Sequence, residues 1–463
     1  MNGGSKFWIG STVVSAAVLG SLGGAPARAA DLGGNCCADL EERIAELEAT
    51  TARKGNRKVS LEVSGHVNET LLFWDDGFES NVGLYTNDNA RSRFRFKGKA
   101  KIDGDWEAGY QIEIGVRTAN SKRFNQDDKS GSSDPANVGF DLRDSYWYLK
   151  SKTYGSAAVG QQATATDGIT EINQTQTADF SKFSDVEDSG LGLNLRGSNG
   201  ALGGESWRRL IGIGGDQPGE GERRFNVVKY TTPEFAGFAI SASWGEDDFW
   251  DVALRYKGEL GDFKIVAGLG YGEILDSGQT KTVCSAVEEG LSSDTDCNQV
   301  GGSLSVLHAP SGIFLNFGAG YKKDEIIADT TLFTGLDPDD EQTFWALQAG
   351  IEQKWLPYGK TTVYGEYYDY EGGATTRRFA SADALNPAGF DRAAVWDAGI
   401  QSYGGGIAQG FDAAALVLYV SYRHYEADLT VINTIGGVGQ AGTQTDIALE
   451  DLDVVLAGGI IKF

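Results

Sequence analysis

The chain has 463 residues, 64 glycines, 8 prolines, a single methionine and a formal charge of −25. Such an acidic balance argues against nucleic acid as a partner, because phosphate binding requires net cationic surface. The hydrophobic fraction, 41%, is slightly low for a soluble globule of this length. The texture is uniform from residue 58 to the end, with no Pro/Ser-rich linker, which suits one large all-β unit with a wet interior.

Residues 1–30 read as a secretory signal peptide. Lys6 precedes an apolar run from Phe7 to Leu22, and Ala27-Arg28-Ala29 has the A-x-A form, with cleavage after Ala29 or Ala30. A membrane anchor is the competing reading; the run is short and Gly/Ser-rich for that, and no other segment is long and apolar enough to span a bilayer as a helix. Residues 31–57 then form a periplasmic N-terminal segment. Its adjacent Cys36 and Cys37 read as free or intermolecular thiols, since nothing nearby completes a zinc set. Within it, residues 38–54 are the one clear helix: Leu40, Ile44 and Leu47 follow heptad spacing. Two heptads are too few to stand alone. The helix is therefore either a short coiled coil held by a larger assembly or an amphipathic helix packed on the body that follows.

From residue 58 the pattern becomes period two. Val59, Leu61, Val63, Gly65 and Val67 alternate with Ser60, Glu62, Ser64, His66 and Asn68. After a loop comes RSRFRFKGKAKID, residues 91–103, with Arg91, Arg93, Arg95, Lys97, Lys99 and Lys101 on one face and Phe94, Phe96, Gly98, Ala100 and Ile102 on the other. Asp103-Gly104 signals a hairpin into a strand carrying Trp106, Ala108, Tyr110, Ile112, Ile114 and Val116 on one face. Further strands are expected near 139–152, 154–162, 223–232, 237–246, 249–259, 262–273, 300–309, 312–323, 342–355, 360–371, 398–410, 414–426 and 451–463. Long connections are expected at 75–90, 119–138, 163–222, 274–299, 324–341, 372–397 and 427–450. Short turns mostly alternate with them.

About sixteen antiparallel strands with short turns at one end and long loops at the other fit a transmembrane β-barrel. Aromatics near strand ends, among them Tyr146 to Tyr148, Trp244, Trp250, Tyr364, Tyr367 and Tyr368, fit interfacial girdles. In hydrocarbon every backbone polar group must be paired, and a closed barrel achieves this without an edge. The apolar face of residues 94–102 would then meet lipid or a neighbouring subunit and the cations would face water. One such cation at the bilayer midplane would cost about 2–4 kcal/mol. Cys284 and Cys297 flank an acidic stretch and read as a disulfide-closed loop in an exported protein.

At RRFNVVKYTTPEFAGFAISASWGEDD, residues 223–248, the chain resembles Gram-negative general porins. LRDSYWYLKSKTYGSAAVGQQ, residues 142–162, looks like the strand pair leading into their constriction loop. The opening DLEERIAELEATTARKGNRKVSLEVSGHVNETLLFWDDG is similar to the alphaproteobacterial, rhizobial-type porins, and Phe463 matches their terminal aromatic assembly signal. The likeness spans the mature chain. It implies a sixteen-stranded barrel over 58–463, a homotrimer in the outer membrane among lipid and lipopolysaccharide, and passive diffusion of small hydrophilic solutes and ions, with no cofactor. It also implies a third long loop, within 163–222, that narrows the lumen. The family's eyelet sets basic wall residues against acids on that loop. The matching positions are Arg91, Arg93, Arg95, Lys97, Lys99 and Lys101 against Asp179, Asp185, Glu187 and Asp188.

Opposed charges across a narrow wet pore create a transverse field that orients polar solutes and favours anions at the basic wall. The alternative for the ladder is charge balance with Glu62, Glu107 and Glu113. An enzyme is not expected: His66, His308 and His424 show no motif pairing them with a nucleophile. The acids of residues 337–341 lack the spacing of a calcium loop. A substrate-specific anion or sugar channel and a tether to the cell wall remain the competing functions. No clean aromatic track is visible, since Tyr364, Tyr367, Tyr368 and Tyr370 do not share a parity.

Overall fold

Two-residue alternation is realised along every long strand. In β1, Glu62–Asp75, the side chains of Asn68, Thr70, Leu72 and Trp74 are buried, whereas Val63, Val67, Leu71 and Phe73 point outward and are exposed. The computed structural model describes residues 58–117, 119–129, 139–212, 217–220, 224–245, 249–275, 296–329, 331–390, 392–434 and 442–463. The expected signal peptide, the coiled coil at 38–54, Cys36, Cys37 and Cys284 lie outside the described residues.

β2 runs in two segments, Ser80–Thr86 and Arg93–Asp103. It is followed by β3 (Trp106–Arg117), β4 (Gly139–Ser151), β5 (Gly155–Gln162) and β6 (Phe225–Thr231). Next come β7 (Phe238–Gly245), β8 (Phe249–Leu260), β9 (Phe263–Ile274), β10 (Cys297–His308) and β11 (Ile313–Asp324). β12 (Glu341–Leu356), β13 (Gly359–Gly372), β14 (Ala393–Phe411), β15 (Leu416–Asn433) and β16 (Leu452–Lys462) complete the series. Each strand pairs antiparallel with the next, and β16 returns to β1 through pairs such as Gly459 with Glu69 and Ile460 with Asn68. The sheet is thus a closed sixteen-stranded barrel, as expected from the pattern.

The short turns gather at one end. Gly104 and Gly261 sit at two of their tips with φ of 56° and 59°, and an added Cβ would meet nothing within 4 Å. Their glycine is therefore required by the left-handed backbone and not by crowding.

Three expectations are corrected. Residues 75–90 are not one long loop: β1 continues to Asp75, turns tightly and pairs with residues 80–86. That second run, SNVGLYT, escapes a composition-based reading because Asn and Gly interrupt it. The girdle assignment holds for Trp147 and Trp244, which are exposed on the outer face, but Tyr364 and Tyr368 are buried inside. The interior is also not uniformly wet. On the β12–β16 side, Tyr364, Tyr368, Tyr419 and Tyr425 form an apolar core with Phe180, Phe183, Leu191 and Trp207 from the long loop. Phe180 stacks on Tyr419 with ring centroids 4.6 Å apart.

That loop, between β5 and β6, is laid along the inner wall strand by strand. The Ala165 and Thr166 amides donate to the Asp251 carboxylate of β8 at 3.1 and 2.7 Å. Ile169 covers Gly268 of β9 and Thr166 covers Gly270, where an added Cβ would collide with them. The Ile172 amide donates to Ser303 of β10 at 3.0 Å, and the Gln176 amide to Glu352 of β12 at 2.8 Å. Ser181 donates to Glu366 of β13 at 3.1 Å, and Asn68 of β1 donates to the Asp179 carbonyl at 3.0 Å. Beyond residue 190 a small hairpin pairs Asn194–Arg196 with Leu202–Ser206.

Asp251 is buried and accepts two loop amides together with the hydroxyls of Thr166 and Ser243. Replacing it with alanine strands those donors. Asp251→Ala is expected to destabilise the loop by about 1.5–3 kcal/mol, the range for hydrogen bonds to a charged acceptor. The readout is a lower heat-denaturation temperature on detergent gels.

Candidate functional site: a charged constriction

The β1–β6 side of the interior stays open where the other side is filled. Between the wall and the loop lies a cavity of about 570 Å³. The wall contributes His66 from β1, Arg91 from the β2 break and Arg93 just after it, Arg143 from β4, and Arg224 just ahead of β6. The loop contributes Asp167, Glu171, Asp179 and Lys182. Counting all lining groups except His66, seven basic side chains (Arg91, Arg93, Lys122, Arg123, Arg143, Lys182 and Arg224) face five carboxylates (Asp88, Asp141, Asp167, Glu171 and Asp179), which leaves a modest cationic excess.

The break in β2 makes this geometry. Residues 87–92 leave the wall and turn inward, held by the Asn87 side-chain amide donating to the Phe180 carbonyl at 3.1 Å and to the Tyr419 hydroxyl at 2.9 Å. His66 fixes the other side of the break through the Ala90 and Arg91 carbonyls at 3.2 and 3.0 Å.

Behind the cavity sits Glu113 of β3, fully buried, with three arginines on it. Arg93 approaches at 3.2 Å, Arg143 at 2.7 Å, and Arg95 donates its Nε at 2.6 Å. One carboxylate cannot neutralise three guanidiniums, so this wall keeps a positive surplus. Arg91 pairs with Asp141 at 2.8 Å, and Arg224 bridges Asp144 at 2.9 Å and Asp167 at 3.0 Å. On the loop, Lys182 ties Glu171 at 2.6 Å to Asp185 at 2.8 Å. Burial, and then the neighbouring Asp185 carboxylate, raise the Glu171 pKa well above the usual range, against the pull of Lys182.

The sequence-predicted residues divide. Arg91, Arg93 and Asp179 line the cavity; Arg95 is turned onto Glu113. Lys97, Lys99 and Lys101 continue toward the short turns and do not line it. Asp185 is held by Lys182, while Glu187 and Asp188 are buried against Lys122 at 3.1 and 3.2 Å. Arg143, Arg224, Lys122, Lys182 and Asp141 had not been assigned to the site. Arg143 was hidden by a bulge: Glu113 pairs with Asp144 and Ile114 with Leu142, so Arg143 is the extra residue. No sequence signal marks that bulge.

The histidines hold structure. His308 contacts Ser311 across a short turn at 2.6 Å, and His424 faces Asp453 at 2.8 Å beside Tyr403. Among the described residues no group of three or more His, Cys, Asp or Glu is placed to hold a metal ion. Cys297 opens β10 and is buried.

The sequence model of the family described as Gram-negative porin matches residues 14–430. Among solved structures, an anion-selective porin from Comamonas acidovorans is 17% identical, with TM-score 0.50, covering 88% of this chain and all of that one. OmpF of Salmonella typhi, in complex with daunomycin, is 13% identical with TM-score 0.48, covering 88% of this chain and 98% of that one. OmpT of Vibrio cholerae is 12% identical with TM-score 0.48, over 88% and 99%. No curated protein matches significantly.

Glu171 gives a test by pH. A carboxyl whose native pKa is raised holds its proton more tightly when folded, so stability falls as pH rises from the ordinary carboxylate value through the raised one. Glu171→Gln is expected to melt like the parent at acidic pH, where Glu171 is already neutral, and at a higher temperature than the parent at alkaline pH. Melting curves at several pH values check this.

Proposed function

Because the chain belongs to the Gram-negative porin family and forms an outer-membrane channel, we propose that it is a general diffusion porin whose narrowest zone is the charged cavity between Arg91, Arg93 and Arg143 on the wall and Asp167, Glu171 and Asp179 on the loop. Small hydrophilic solutes and ions cross passively. The transverse field orients their dipoles and taxes apolar molecules, and the cationic excess gives a mild preference for anions. The observation that carries this reading is a charge-opposed gap of about 570 Å³ left open beside a half of the interior that is filled.

A substrate-specific channel is less well supported, because the buried tyrosines lie under the loop and form no track along the opening. We propose assembly as a homotrimer, which the broad apolar outer face of β1 and its neighbours suits, among lipid and lipopolysaccharide. The rhizobial-type affiliation, the cleaved signal, a Cys284–Cys297 bridge, Phe463 as assembly signal and a cell-wall tether through residues 38–54 are proposals on the sequence grounds given above.

Arg93→Gln with Arg143→Gln leaves Glu113 paired to Arg95. It removes two of the seven lining cations, and the chloride-to-potassium permeability ratio should fall roughly two- to threefold in a field partly screened by salt. Zero-current potentials in a KCl gradient read this out; an unchanged ratio removes these arginines from the constriction. Liposome swelling with sugars of graded size separates general diffusion, a smooth fall with size, from saturation by one solute.

A further inference from the structure

The lysines displaced from the cavity fall into a pattern of their own. Lys97, Lys99 and Lys101 share the inward parity of Arg93 and Arg95, both of which reach the buried Glu113. Four residues of strand separate Arg93 from Lys97, and four more separate Lys97 from Lys101, about 13 Å each at the rise of a strand. Lys101 therefore stands at the short-turn rim, well below the constriction.

Three more lysines join this tier. Lys150 of β4 is the register neighbour of Glu107, which in turn neighbours Lys101. Lys257 of β8 shares the parity of Arg255, whose guanidinium donates to the Ala165 carbonyl inside the barrel at 2.6 Å. Lys264 of β9 shares the parity of Gly268, which Ile169 covers from within. Five of the six are exposed and Lys97 is half-buried. None of the six ammonium groups makes an ion pair or a side-chain hydrogen bond among the described residues.

The carboxylates on the same faces are Glu62, opposite Lys97, Glu107, between Lys101 and Lys150, and Glu259, opposite Lys264. Asp103, Asp105 and Asp262 belong to the turns beyond these faces, Asp103 set opposite Trp106 by a register shift; on the inner faces themselves six cations against three anions leave a net positive tier. The constriction above it, with seven cations to five carboxylates, is cationic in a lower ratio. The charge of the water path is thus graded along the barrel axis as well as across it.

We propose that this lysine tier is a second selectivity zone, an anion-collecting vestibule at the periplasmic mouth, and that it makes the channel conduct asymmetrically. The inference rests on the porin reading, in which the short turns face the periplasm. A strongly positive segment in series with a more weakly positive one enriches anions and holds back cations relative to its neighbour. When the long-loop side is positive, anions leave the vestibule toward the constriction while cations arrive and are held up, so carriers accumulate and conductance rises. With the polarity reversed, both carriers move away from the junction and it is depleted. Screening limits the effect, since the Debye length is about 10 Å in 0.1 M salt and about 3 Å in 1 M.

Single channels in a planar bilayer test this, with orientation assigned by the side from which an added protease trims the long loops. In 0.1 M KCl the current with the long-loop side positive should exceed that at the opposite voltage roughly 1.5- to 2-fold, and the ratio should approach one in 1 M KCl, where the tier is screened. The triple variant Lys97→Gln, Lys99→Gln, Lys101→Gln should lose most of the asymmetry while keeping its conductance in 1 M salt. A linear current–voltage relation of the parent in 0.1 M KCl overturns the proposal, as does asymmetry that persists in 1 M KCl or survives the triple substitution. Absence of any channel activity overturns the porin reading itself, a result distinguishable from a symmetric channel.

Discussion

The constraint on which the rest depends is that no backbone amide or carbonyl can be left unpaired in hydrocarbon. A sheet meets it only by closing on itself, so β16 must pair with β1. Closure in turn assigns every side chain to one of two environments by parity alone. Val67, Leu71 and Phe73 take the outside, and Asn68, Thr70 and Leu72 the inside, without any local preference having to decide it. Packing inside is then free to vary, because the sheet does not depend on it.

That freedom is used unevenly. One side of the interior is filled like the core of a soluble protein, with stacked aromatics and buried hydroxyls. The other is lined by charge and left open. The boundary between them is the long β5–β6 loop, whose apolar residues face the tyrosines and whose acids face the arginines. A transverse field can be strong only where water is scarce and the charges are fixed. The apolar half thus holds one side of the field rigid. The single carboxylate of Glu113 beneath three guanidiniums holds the other.

Much of this was legible in the sequence. Sixteen strands, their order and the alternation of short and long connections follow from period-two patterning and turn residues. The basic run from Arg91 to Lys101 and the acids of the loop were visible as candidates because charge is conspicuous on a half-apolar strand. Their partition was not visible. A strand some 35 Å long places its residues at different depths, so Arg93 belongs to the constriction while Lys101 belongs to the rim, although both are cations on one face. Arg143 was obscured by a bulge, and Ser80–Thr86 by its Asn and Gly. The filled half of the interior was unreadable because inward tyrosines and girdle tyrosines look alike until the loop is placed over them.

Asp179 occupies a peculiar position with respect to the two ends of the barrel. Its carbonyl accepts from Asn68 on the first strand and its carboxylate from Lys462 on the last, at 3.0 and 2.6 Å. A slip of two residues between those strands would preserve the ladder and the inside-outside parity, yet would carry one partner about 7 Å away from the other. The sheet alone cannot detect such an error. One loop residue bonded to both strands of the seam keeps the two bonds together in the observed register.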